Sequence, residues 1–244
     1  MRVNNVPVVE DSLRRFAELT RQSTSTHSPF VDEWDFLSRA VYTKDEAKGE
    51  IRQFPQYTYL EYLTRTRREN YLTPPIHAYE KSRRMLISWW LLSLYLYDTL
   101  TQYNHANFVG SRKLEGSAYF LGEERILGVY ERIPADVWPN KPQLIHGSKR
   151  GMGYETLTCP ETGSFLMAIA SGADQLRQYT ASNVFGDEIA FWQWWGRSYK
   201  AMRPCIDGGG HIDLVTTADL GSEAEEVYYP RLGNTHVLRE AVSE

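Results

Sequence analysis

The sequence of 244 residues has few cysteines, no long apolar run and no excess of positive charge. Its two cysteines, Cys159 and Cys205, form no CxxC pair and have no paired histidines beside them. That argues against a structural zinc or a disulfide framework and fits a reducing compartment. The strongest apolar run, Met85 to Tyr97, contains two serines and falls short of the roughly 20 residues that a bilayer span needs, so it predicts a buried helix. The amino terminus shows neither the apolar segment nor the small-residue cleavage site of a signal peptide. The net charge is −4, so any contact with nucleic acid must come from a local patch and not from a global field. No internal repeat or low-complexity tract is visible.

What is present is packing material: 42% hydrophobic residues, with seven Trp, sixteen Tyr and nine Phe. This is enough for one large α/β domain with a small extra lobe. Residues 1–53 read as a helical N-terminal or lid region, with DSLRRFAELTRQ capped by Asp11 and a short helix in DEWDFLSRAV. A further helix is expected in FPQYTYLEYLTRTRREN, where Tyr59, Tyr62 and Leu63 fall at helical spacing, and Pro74 and Pro75 close that lobe. From Ile76 the pattern changes to a strand through Tyr79, a basic loop, a helix from about Ser88 to Gln102, the strand ANFVGS and the helix GSAYFLGEERILGVYERI. A hairpin with its turn at Pro160 to Gly163 follows, then strands in NVFGDEIAFW and HIDLVTTADLGS. Strands alternating with helices predict a mainly parallel central sheet with crossover helices on its faces, formed by residues 54–244.

The stretch HAYEKSRRMLISWW places Lys81, Arg83 and Arg84 at the mouth of the buried helix. A phosphate-binding loop needs a strand, a tight turn, a positive side chain and a Ser or Thr opening a helix to hold magnesium. Laid over G-x-x-x-x-G-K-[ST], residues 81–88 put Ser88 at the magnesium position but lack both glycines and the usual lysine. The plainer alternative is a solvated turn. Asp187 and Glu188 stand at a strand's carboxyl end, where ligands of open α/β sheets bind. The first carboxylate suits magnesium and the second an attacking water, unless the pair is only a solvated strand end. Thr216 and Thr217 end another strand, where hydroxyls could sense a terminal phosphate. DGGGH precedes a strand and reads as a turn. Two basic runs, Arg65 to Arg68 and Lys149 with Arg150, are either solvated faces or grips on DNA phosphates.

The order of these segments resembles the ATPase domain of the large terminase subunit of tailed bacteriophages, the motor that packs DNA into proheads. KSRRMLIS is similar to that family's arginine-rich, glycine-poor Walker A loop, RQYTASNVFGDEIAFW to its Walker B segment, and VTTADLGS to its coupling motif. The resemblance implies a P-loop NTPase of the ASCE type using ATP and Mg2+. Phosphates would be bound by the loop Lys81, Ser82, Arg83, Arg84, Met85, Leu86, Ile87 and Ser88, and magnesium by Ser88 and Asp187. Glu188 would be the catalytic base, Arg177 an arginine finger donated to a neighbouring subunit, and Thr216 and Thr217 the coupling pair. RQFPQYTYL resembles the adenine-contacting segment, with Gln56 the candidate. Leu86 replaces a glycine common in the variant loop. The implied partners are double-stranded DNA without sequence preference, the portal and prohead, the small terminase subunit and further copies in a ring, in the cytoplasm of an infected host. The family's nuclease domain would not fit in the residues after the coupling motif, so an ATPase domain alone is expected. Two other readings remain: a helicase-like ATPase stimulated by nucleic acid, and a nucleotide-binding assembly module without turnover.

Overall fold

The computed structural model describes residues 28–45, 48–69, 76–149, 154–171, 174–217, 222 and 235–238. The helix expected around Asp11, the Pro74–Pro75 closure and the basic Arg150 lie outside them. The lobe begins with helix α1 (Glu33–Ala40), whose first turn is capped where the Asp32 carboxylate accepts from the Asp35 N–H. A short antiparallel hairpin of β1 (Tyr42–Asp45) and β2 (Glu50–Gln53) follows, an addition to the helices expected there. Next comes helix α2 (Thr58–Glu69). Its position matches the sequence pattern, and of the spaced residues Leu63 is buried and Tyr59 packs partly against the core, but Tyr62 does not. Leu60, Leu63, Thr64 and Arg67 face inward at i, i+3, i+4 and i+7, while Tyr62 is 63% exposed.

The core sheet is built from β3 (Ile76–Lys81), β4 (Ala106–Ser111), β5 (Ile145–Lys149), β6 (Tyr154–Cys159), β7 (Ser164–Ala170), β8 (Asn183–Gly186), β9 (His211–Thr216) and β10 (Thr235–Leu238). Their spatial order is β10-β3-β9-β8-β4-β7-β6-β5. The strands from β10 to β7 pair in parallel, and β6 and β5 add an antiparallel edge. The hairpin turn falls at Pro160 to Gly163 as expected, whereas β5 and β10 carry no alternating apolar pattern that would reveal them. Helix α3 (Ile87–Thr101) is buried on nearly every side, which explains its uniformly apolar sequence. The single helix expected after β4 is instead two, α4 (Leu114–Leu121) and α5 (Ile126–Arg132). Gly122 ends α4 in extended backbone, and glycine is a poor helix residue. Among the described residues no helix is long and apolar enough to cross a membrane.

Strand periodicity divides the core in two. Tyr79, Val109, Phe185 and Val215 face the α3 side, with Trp90, Tyr95 and the lobe residues Phe36, Leu37 and Phe54. Their neighbours Ala78, Phe108, Val184 and Leu214 face the opposite side, where helix α6 (Trp195–Met202) and a 3-10 turn (Arg203–Ile206) close the layer. β9 therefore lies between the loop-bearing β3 and the carboxylate-bearing β8. That interposed strand sets the carboxyl ends of β3, β9 and β8 side by side.

Candidate active site

Because β3, β8 and β9 are parallel neighbours, their carboxyl ends deliver three chain segments to one edge of the sheet. Lys81 ends β3, Ser88 sits in the first turn of α3, Asp187 and Glu188 directly follow β8, and Thr217 directly follows β9. Their side chains meet. The Ser88 hydroxyl donates to Asp187 Oδ1 at 2.8 Å, and Lys81 Nζ donates to Glu188 Oε1 at 3.0 Å. The other Glu188 oxygen accepts from both the backbone N–H and the hydroxyl of Thr217, at 3.1 and 3.0 Å. Thr216 Oγ1 donates to the Thr217 carbonyl and accepts from the Ala190 N–H. Thr216 and Thr217 are thus both tied to the carboxylate turn.

The two carboxylates are tuned in opposite directions. Burial pushes the Asp187 carboxyl up to about 6, against the opposing pull of the Ser88 hydroxyl. Burial would raise Glu188 too, but the Lys81 ammonium and the Thr217 donors outweigh it and hold that group below its ordinary value. A buried carboxylate facing a serine hydroxyl is a donor set that suits a small hard cation such as Mg2+.

Backbone strain gathers here. Arg84 (φ 66°), Leu86 (φ 58°) and Glu188 (φ 50°) are left-handed without being glycine. The loop therefore keeps a glycine-like bend at Leu86, where the family resemblance expects glycine. Arg83 and Arg84 are exposed, and Ile87 is buried as the first residue of α3. The Met85 carbonyl accepts from Tyr59 Oη at 2.9 Å, which fixes the start of α2 against the loop. Gln56 lies exposed just ahead of that helix. Arg177 lies elsewhere, exposed on a 3-10 turn (Asp174–Gln178), where its charge acts on the Cys205 thiol.

Sequence reasoning missed three features. Trp192 donates its indole N–H to the Asp187 carbonyl at 2.8 Å and packs on Gly110, where a Cβ would stand 2.8 Å from its ring. The Lys81–Glu188 pair joins residues far apart in sequence and has no local signal. The third is a buried network on β9: Asp213 accepts from Arg67 Nη2 at 2.8 Å and Tyr95 Oη at 3.1 Å, and pairs with His211 Nε2 at 3.0 Å. His211 and Asp213, polar at i and i+2 in an apolar strand, were a readable sign of it. Burial would raise the Asp213 carboxyl, but the Arg67 guanidinium and His211 hold it far below the usual range. His77, His211 and Asp213 place ligand atoms within 4.8 Å of one another, yet the guanidinium beside Asp213 disfavours a cation there. The run Arg65 to Arg68 is not a uniform solvated patch: Arg65 pairs with Glu61, Arg67 is buried, and Arg68 approaches Asp32 and Glu33.

Solved structures share this architecture. The ATPase domain of the Thermus phage P74-26 large terminase matches with a TM-score of 0.54 at 12% identity, over 76% of this chain and 81% of that one. The HK97 bacteriophage large terminase matches with a TM-score of 0.61 at 9% identity, over 84% of this chain. The fold is that of a phage large terminase ATPase domain. The large terminase of a thermophilic bacteriophage in complex with ADP also matches, with a TM-score of 0.50 and 15% identity over 68% of this chain. This chain spans 43% of the HK97 terminase and 40% of the thermophilic phage's terminase. No protein-family model matches it, and no curated protein matches it by sequence.

Proposed function

We propose that this chain is the ATP-hydrolysing motor domain of a viral terminase large subunit and drives double-stranded DNA into a prohead. The observation that carries this reading is the joined cluster at the sheet edge, where Ser88 meets Asp187 and Lys81 and Thr217 converge on Glu188. A terminase-like fold and neighbours solved with nucleotide support it. Lys81, Arg83 and Arg84 neutralise the phosphate chain, and Gln56 contacts adenine. Ser88 and Asp187 hold magnesium, which supplies charge that stabilises the transferring phosphoryl group. Glu188 orients the attacking water and accepts its proton once Lys81 turns from the carboxylate to the phosphates. Thr216 and Thr217, bonded to the same turn, pass the change to β9. Both carboxylates in one cluster favour turnover over passive nucleotide binding.

Arg177, remote from its own chain's cluster, serves a neighbouring subunit's ATP in a ring on the portal. Phosphate release with Mg-ATP tests this: it should be slow in dilute protein, rise more steeply than protein concentration, and become linear in Arg177→Ala. No magnesium-dependent hydrolysis at any concentration would overturn the motor reading. Strict proportionality together with an inert Arg177→Ala would remove the trans role.

A further inference from the structure

From Ile189 to Ile206, the residues immediately after Glu188, there is no Asp or Glu, in a chain that has 31 of them. This segment holds Phe191, Trp194 and helix α6. Trp195, Ser198, Ala201 and Met202 form the helix's buried face. The opposite face carries Arg197, Lys200 and Arg203 at i, i+3 and i+6, all exposed, with Gly196 and Pro204 completing it. Arg203 pairs with Asp207, which lies just beyond the acid-free stretch. At the head of this face stands Trp194, 64% exposed and held in left-handed backbone at φ 67°. A left-handed conformation costs an L-residue roughly 1–2 kcal/mol. Packing does not return that cost, because most of Trp194 is exposed; Phe191, three residues earlier, is 43% exposed.

We infer that this face of α6, headed by Trp194, is a docking surface for the phosphate backbone of duplex DNA; the inference rests on the motor reading and names where that motor grips its cargo. The charge is complementary: the three cations span about 9 Å along the helix, and B-DNA carries a negative charge about every 1.7 Å of its axis. Nothing on the face reads bases, which suits a grip that ignores sequence. Trp194 adds a flat apolar ring against the sugar edge. In the run Arg65 to Arg68, by contrast, Arg67 lies in the core and is closed to DNA. The surface begins directly after the Glu188 turn, so movement of that turn is transmitted to it along a few residues of chain.

The test is fluorescence anisotropy of a labelled mixed-sequence duplex titrated with the full chain between 50 and 200 mM KCl, alongside ATP hydrolysis without DNA and mass by light scattering. The Arg197→Ala/Lys200→Ala double variant should bind about tenfold or more weakly. It should also lower the slope of log K against log salt by about 2, close to one for each phosphate no longer neutralised. Trp194→Ala should weaken binding about fivefold with the slope unchanged, and both variants should keep their DNA-free hydrolysis. Wild-type affinity and slope in the double variant would overturn the inference and leave the motor reading standing. A fall in oligomer mass in the variants, with DNA binding intact, would assign the face to a second copy of the chain and also overturn it. Hydrolysis by wild type with no duplex binding at 50 mM KCl would remove the DNA-translocating reading itself.

Discussion

Burial makes the charge on Asp187 costly to the fold. Its folded value of about 6 lies above the ordinary carboxylate value, so the folded chain holds that proton more tightly than the unfolded chain does. The associated stability is therefore present in full below the unfolded value and is lost as pH rises through about 6. Asp187→Asn keeps an acceptor for Ser88 without the buried charge. In chelator and without nucleotide, its stability advantage over wild type in urea unfolding should grow by about 1 kcal/mol between pH 5 and pH 7.5. A constant difference would show that Asp187 is not held protonated. Leu86 makes a complementary case. Its left-handed backbone is the shape a glycine would take, so Leu86→Gly should shift stability by less than about 1 kcal/mol, whereas the equally apolar Leu86→Ile should cost more than that, because a β-branched residue fits φ 58° poorly. Equal effects of the two substitutions in the same urea assay would contradict the strain. The sequence showed which residue departs from the family pattern; it could not show that the backbone bend survives the departure.

At the scale of elements, α2 and β9 are joined by the Arg67–Asp213 pair, and sequence alone could not separate Arg67 from its neighbours in RTRR. Position relative to a buried stripe makes the difference: Leu60, Leu63 and Thr64 set the inward face of α2, and Arg67 falls on it. Removing Arg67 strands a fully buried carboxylate, so Arg67→Met should destabilise the chain by about 3–5 kcal/mol, while Arg65→Ala leaves the unfolding midpoint unchanged. Similar losses for both would contradict the assignment. Strands and helices with strong periodicity were legible, including α3, β4, β8, β9 and the β6–β7 hairpin. The β1–β2 hairpin, β5 and β10 were not, because short or exposed strands carry little apolar alternation. The break between α4 and α5 depended on Gly122, whose cap role needs tertiary context.

Across the whole molecule, the three motifs read from sequence fall at the ends of strands that the order β3-β9-β8 makes adjacent. Their order along the chain was visible and the family resemblance implied one site, but the side-chain contacts that join them were not legible. The Lys81–Glu188 and Thr217–Glu188 bonds depend on β9 lying between the other two strands. On the motor reading, this meeting point hydrolyses ATP with Glu188 acting on the water. The most direct test compares wild type with Glu188→Gln by ATP titration calorimetry and steady-state phosphate release in magnesium. ATP affinity should stay near wild type while turnover falls about 100-fold or more, the scale of a lost general base. Near-normal turnover in Glu188→Gln with ATP binding intact would contradict the account.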